Sequence, residues 1–202
     1  LGRLAIELNQ VTLDPWTNSN ITLDGGTGSE TSIPVWDGSS SDTSFLFNGN
    51  GLSNDPYIIT NGEQLYKLVK DVNSGVPYSG KYFKLGNSID LGGHEWTPIG
   101  NSTTPFKGHF DGNGYTIYGL SIQNDVNGYA GLFGKVEGSK ISGLSVNNAN
   151  ISNQSSNTGI ICGELAGGGV ISNCSVYGGS VSTSSSSSSS QSSSAGGICG
   201  LY

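Results

Sequence analysis

The chain has 202 residues, 33 of them glycine, and only 11% are charged, so solubility rests on serine, threonine and asparagine. A net charge of −7 and a pI near 4.5 argue against nucleic acid or an anionic membrane surface as a partner, since those call for a basic stripe. No apolar run approaches the roughly 18 residues of a membrane span, so no membrane insertion by this segment is expected.

Length suits one or two domains, and the composition divides the chain at about residue 32. Residues 1–23 alternate apolar and polar positions through Leu4, Ile6, Leu8, Val11 and Leu13, the pattern of a strand. With the polar, glycine-rich stretch 24–32 they read as a strand and linker, either a remnant of a preceding domain or an edge strand laid along this one. Residues 33–202 form the second domain, entered through Trp36-Asp37-Gly38. Its one helix is predicted at about 61–74. Thr60 and Glu63 suggest a capping box, Leu65, Leu68, Val69 and Val72 line one face, and Gly75 closes it. Such a helix suits a cap over the apolar end of a repeat array. Tyr82 to Leu91 reads as strand.

From there the chain repeats itself. Ala130-Gly131-Leu132-Phe133-Gly134, Gly159-Ile160-Ile161-Cys162-Gly163 and Gly196-Gly197-Ile198-Cys199-Gly200 share one glycine-headed pattern. Matching tails stand at 117–122, 141–146 and 171–176, each opening on isoleucine. Their spacing falls within the roughly 20–50 residues of stacked units that cannot bury an apolar face alone. The serine-rich run 182–194 lengthens the last interval and reads as a looped-out insertion. Alternation at Leu144 and Val146, then Cys174 and Val176, gives short strands. A sandwich pairs successive strands by hairpins and needs no likeness between them, whereas a solenoid sets like on like. The repetition therefore predicts an all-β parallel β-helix, a β-solenoid, with glycines at tight corners or close backbone approaches. Leu1 is not an initiator methionine and Tyr202 follows directly on a glycine motif, so the chain is expected to continue at both ends.

These heads, with Asp55-Pro56-Tyr57-Ile58-Ile59, Gln64-Leu65, Ile89-Asp90-Leu91, Trp96-Thr97-Pro98-Ile99-Gly100 and Phe110-Asp111-Gly112-Asn113-Gly114-Tyr115-Thr116-Ile117, resemble the GLUG repeats of bacterial, Bacteroidetes-type cell-surface proteins. The resemblance spans about residues 45–202. It implies a β-helix on a secreted or cell-surface protein, anchored to the outer membrane through regions outside this chain and often joined to adhesin modules. It carries no catalytic residues.

Candidate chemistry is sparse. His94-Glu95 and His109-Phe110-Asp111 lack the local spacing of a zinc site, and no serine sits in a nucleophile elbow. Asp90, Glu95, Asp111, Asp125 and Glu137 are the acids a glycosidase or lyase would draw on, with Lys107, Lys135 and Lys140 as bases. Asp111 equally suits a turn in Asp-Gly-Asn-Gly, which lacks the final glutamate of a calcium loop. No catalytic residue, metal or cofactor is therefore assigned. Cys162, Cys174 and Cys199 read as small core hydrophobes, with a Cys162–Cys199 cross-link between coils as the alternative. Trp96, Tyr115, Tyr118 and Tyr129, with Tyr177, are the candidates for contact with a ligand, and packing is the rival role for each.

The reading is a non-catalytic binding or structural module of a surface protein, adhesin-like or a rigid spacer. A host glycan or surface protein, and neighbouring domains of the same polypeptide, are its expected partners. A carbohydrate-active β-helix enzyme and a non-proteolytic segment of a large secreted peptidase are the alternatives.

Overall fold

The computed structural model describes residues 32–39, 48–123, 128–153, 157–183 and 194–202. The strand expected at 1–23, nearly all of the 24–32 linker, and the middle of the serine run lie outside the described residues.

Backbone pairing defines a parallel β-solenoid. β1 (Tyr57–Ile59) leads into α1 (Gly62–Asn73), after which β2 (Tyr82–Leu85) and β3 (Ile89–Asp90) open the first coil. The second coil holds β4 (His109–Asp111), β5 (Thr116–Tyr118), β6 (Ser121–Ile122), β7 (Tyr129–Ala130) and β8 (Phe133–Glu137). The third holds β9 (Lys140–Ser142), β10 (Ser145–Asn153), β11 (Asn157–Gly159) and β12 (Cys162–Ala166). The fourth holds β13 (Val170–Ser172), β14 (Ser175–Thr183), β15 (Ser194–Gly196) and β16 (Cys199–Leu201). Equivalent strands stack in four sheets: β1-β2-β4-β9-β13, β3-β5-β10-β14, β7-β11-β15 and β8-β12-β16. Every strand pair is parallel, as coils wound in one sense require.

Register converts the repeat into apolar columns. Phe83, Phe110, Ile141 and Ile171 lie one above another, as do Ile89, Ile117, Val146 and Val176. A third column runs Ile99, Phe133, Cys162, Cys199. Each fully buried large apolar side chain contributes roughly 1.5–3 kcal/mol, so these columns hold the stack together. The filling is graded. Phe83, Phe106, Phe110 and Phe133 pack ring on ring at 5.2–5.9 Å in the early coils. In the fourth coil Ile171, Cys174, Val176, Val181 and Cys199 are only partly buried.

α1 closes the first end, with Leu65, Leu68, Val69 and Val72 buried as predicted. Its cap lies one residue beyond the expected one. Asn61, not Thr60, is the N-cap, its Oδ1 accepting from Gln64 N at 2.9 Å, while Gln64 Oε1 accepts from Thr60 N. Asn fills that role at least as well as Thr, and Gln64 at the third position reaches back to the residue before the cap rather than to the cap itself. Asn73 ties the helix to the first coil through Pro98 O and Gly100 N. Trp36 packs against Tyr66 and Trp96 at 5.1 and 5.8 Å, sealing the same end.

Three further expectations are corrected. Tyr82–Leu91 is two strands on different sheets, since Gly86 turns the chain between β2 and β3. Ile117 does not stack on Ile141; it lies between Ile89 and Val146. The turn after Asp111 is the reason: Asn113 and Gly114 adopt positive φ there, and Asp111 Oδ1 accepts from Asn113 N at 2.8 Å. That longer corner carries Ile117 onto the second sheet. Finally, Ser182 and Thr183 continue β14, with Ser182 paired to Ser152, and Ser194 opens β15, so the ends of the serine run are strand, and 184–193 lie outside the described residues.

The head glycines serve close approach. A Cβ on Gly159 would sit 2.7 Å from Cys199 Cα and nearer still to Cys162 O. Glycine here lets the β7-β11-β15 and β8-β12-β16 sheets meet backbone to backbone.

Candidate functional site

The outer face of β3-β5-β10-β14 carries the two nine-residue strands β10 and β14. Where Ile117, Val146 and Val176 point inward, their neighbours Tyr118, Asn147 and Tyr177 form an outward column in strict register. Tyr118 is half-buried and Tyr177 is 59% exposed. Two parallel steps separate the tyrosines by about 10 Å, with the Asn147 amide between them. Columns of Thr116, Ser145 and Ser175, and of Ser121, Asn150 and Ser180, flank them. Ser180 Oγ donates to Asn150 Oδ1 at 3.0 Å, and Gln123 Nε2 donates to Asn150 O at 3.2 Å. Asp90 is the carboxylate at the start of the tyrosine column, and its Oδ1 accepts from Gly92 N at 2.8 Å. The face therefore offers two aromatic rings, hydroxyls and amides, with the carboxylates of Asp90 and of Glu95, the register neighbour of Ser121, at its first-coil edge.

The other predicted contacts lie elsewhere. Trp96 is a core side chain, 1% exposed, its indole donating to Leu132 O at 3.1 Å, so a ligand has no access to it. Tyr115 is packed against the core. Tyr129 faces Lys135, whose Nζ lies 5.7 Å from the ring centroid. Tyr177 and Asn147 join Tyr118 only through register, a signal that residue type alone does not carry.

The histidines are apart from one another in role. His94 sits edge-on to Trp36 at 6.1 Å. His109 stacks on Tyr82 at 4.6 Å and accepts from Lys140 N through Nδ1. Among the described residues no three His, Cys, Asp or Glu side chains converge on a metal position. Glu95 accepts from Gln123 N and Glu137 pairs with Lys107 at 3.0 Å. Asp125 lies outside the described residues.

All three cysteines are free thiols, and Cys162 and Cys199 are register partners on adjacent coils. Contact with the Cys199 sulfur, reinforced by burial, pushes the Cys162 thiol well above its usual range. The same contact pulls Cys199 down to about 7. Burial raises Cys174. The thiolate is the nucleophile, so Cys199 is expected to react with iodoacetamide near neutral pH, its rate rising through about pH 7. Cys162 and Cys174 should stay largely unlabelled in the folded chain; peptide mapping after a short pulse checks this.

No family model matches the chain. It is 33% identical over 144 residues to a "Putative Gly-rich membrane protein" of Evansella cellulosilytica, covering 67% of this chain and 16% of that protein. It is 30% identical over 149 residues to "Halomucin" of Haloquadratum walsbyi, covering 68% of this chain and 2% of that protein. The chain thus spans a small part of each relative. Among solved structures, a "putative immunoglobulin A1 protease from Bacteroides ovatus" matches with a TM-score of 0.50 and 28% identity, covering 63% of this chain and 39% of that one. The class defined by fold and composition is a glycine-rich parallel β-solenoid, and one of its relatives is named as a membrane protein. No helix among the described residues is long and apolar enough to cross a membrane.

Proposed function

We propose that this chain is a non-catalytic module of a secreted or cell-surface bacterial protein, built of GLUG-type repeats, that presents a glycan-recognition face in the manner of an adhesin. The observation that carries the reading is the Tyr118–Asn147–Tyr177 column, held in register by apolar columns directly beneath it. Aromatic rings offer apolar faces to sugars while hydroxyls and amides match sugar hydroxyls, and columns uncharged beyond the Asp90 and Glu95 edge suit a neutral glycan. Likeness to a glycine-rich membrane protein and to a halomucin supports the surface setting. Likeness to a solved protease supports a second reading, a non-proteolytic segment of a large secreted peptidase.

A glycan array tests the binding role. The wild-type chain is expected to give signal on neutral glycans that Tyr118→Ala with Tyr177→Ala reduces at least tenfold, which corresponds to about 1.4 kcal/mol. The double variant should unfold at nearly the wild-type urea midpoint, because Tyr118 and Tyr177 lie on the outer face. A flat array for the wild type contradicts glycan recognition and leaves a spacer.

A further inference from the structure

At the corner where β7-β11 meets β8-β12, four side chains stand together that the binding face does not use. Lys135 and Glu164 are register partners on adjacent coils, with Nζ 2.8 Å from Oε1. Tyr129 and Asn157 are register partners on the neighbouring sheet. The other oxygen of the same carboxylate, Glu164 Oε2, accepts from Asn157 Nδ2 at 3.2 Å. Lys135 Nζ also lies 5.7 Å from the Tyr129 ring centroid. The Lys135 and Glu164 side chains are only 21% and 14% exposed. One shielded carboxylate thus holds a primary amine and a carboxamide side by side, each on one of its oxygens.

That arrangement contains every group an amide exchange requires: a nucleophilic amine, an acyl carbon bearing an amide nitrogen, and a carboxylate able to carry protons between them. We infer that Lys135 and Asn157 are a modification site, joined by an isopeptide bond between Lys135 Nζ and Asn157 Cγ, with Glu164 as the catalytic acid and base. Glu164 takes a proton from the Lys135 ammonium, and the freed Nζ attacks Cγ. Glu164 then returns that proton to Nδ2 and receives one from the new amide nitrogen. The Cγ–Nδ2 bond breaks, and the departing ammonia takes from Glu164 the proton it has just received, so that ammonium leaves with the lysine's charge and Glu164 is a carboxylate again. Oxidation states do not change and no co-reactant is needed. The bond links the second coil to the third across the glycine head, in a chain whose cysteines are free. The Glu164 hydrogen bond raises the Lys135 pKa and so favours the ammonium in the unreacted pair. The free amine becomes commoner as pH rises, so the reaction should quicken with pH.

Intact-mass measurement of the purified full chain tests the inference. The expected mass is lower than the sequence mass by one ammonia, complete after incubation at mildly alkaline pH. Digestion should give a branched peptide joining the Lys135 and Asn157 segments. Lys135→Arg, Asn157→Ser and Glu164→Gln should each restore the sequence mass expected for that variant. Circular dichroism on the same samples would show that they remain folded. Wild-type chain that keeps its full mass after that incubation overturns the bond. Loss of ammonia persisting in Glu164→Gln overturns the role of Glu164. Simple deamidation of Asn157 would raise the mass instead, and counts against the bond.

Discussion

Gly159→Val is expected to destabilise the chain by about 3 kcal/mol or more, a large share of the stability of a domain this size. The atoms a Cβ would meet, Cys162 O, Cys199 Cα and Gly200 N, all belong to backbone, the last two at 2.7 Å. No side chain can swing aside, so the third and fourth coils must separate or the sheets must part. Gly134 is equally constrained, by Gly100 O. Gly197 belongs to the same motif, yet a Cβ there meets nothing within 4 Å. Gly197→Ala should therefore stay within about 0.5 kcal/mol of wild type. Urea denaturation of the pair separates close approach from a general intolerance of substitution in the motif.

The second large effect is expected at Phe133. Its ring lies 5.2 Å from Phe106 and 5.3 Å from Phe110, and Ile99 and Cys162 are its neighbours in register. Phe133→Ala removes a fully buried aromatic from between two coils and should cost about 3–5 kcal/mol, because a rigid stack cannot collapse into the cavity. Ile171→Ala, in the partly buried fourth coil, should cost clearly less. Urea midpoints for both variants check the gradient. Equal losses would mean that the stack is stabilised evenly along its length.

Much of this architecture was legible because a solenoid writes its fold into its repeats. Cys162 above Phe133 and below Cys199, and Ile171 above Ile141, follow directly from like positions in the heads and tails. Ile117 misled for a physical reason. Its tail looks like that of Ile141, but apolar alternation is common to every strand of the coil and does not say which sheet a strand joins. The Asp-Gly-Asn-Gly corner, two positive-φ residues long, decided that instead. Trp96 misled because a large amphipathic ring suits both a sugar site and a capped end, and only its place beside Trp36 and Tyr66 assigns it. Tyr118 and Tyr177 share a face only once Ile117 is correctly paired. The proposed ligand face was thus hidden behind one register error. Lys135, Asn157 and Glu164 were beyond sequence reasoning, since they meet across two sheets and two coils.

Amide-to-α-proton nuclear Overhauser contacts from Val146 test the stacking most directly. Parallel, in-register coils place Val146 between Ile117 and Val176, and Ile141 between Phe110 and Ile171. The expected spectrum shows sequential-strength interstrand contacts from Val146 to the Ile117 and Val176 segments, and none between Ile117 and Ile141. Antiparallel α-proton pairs between these segments, or contacts joining Ile117 to Ile141, would contradict the coil register and the tyrosine column built on it.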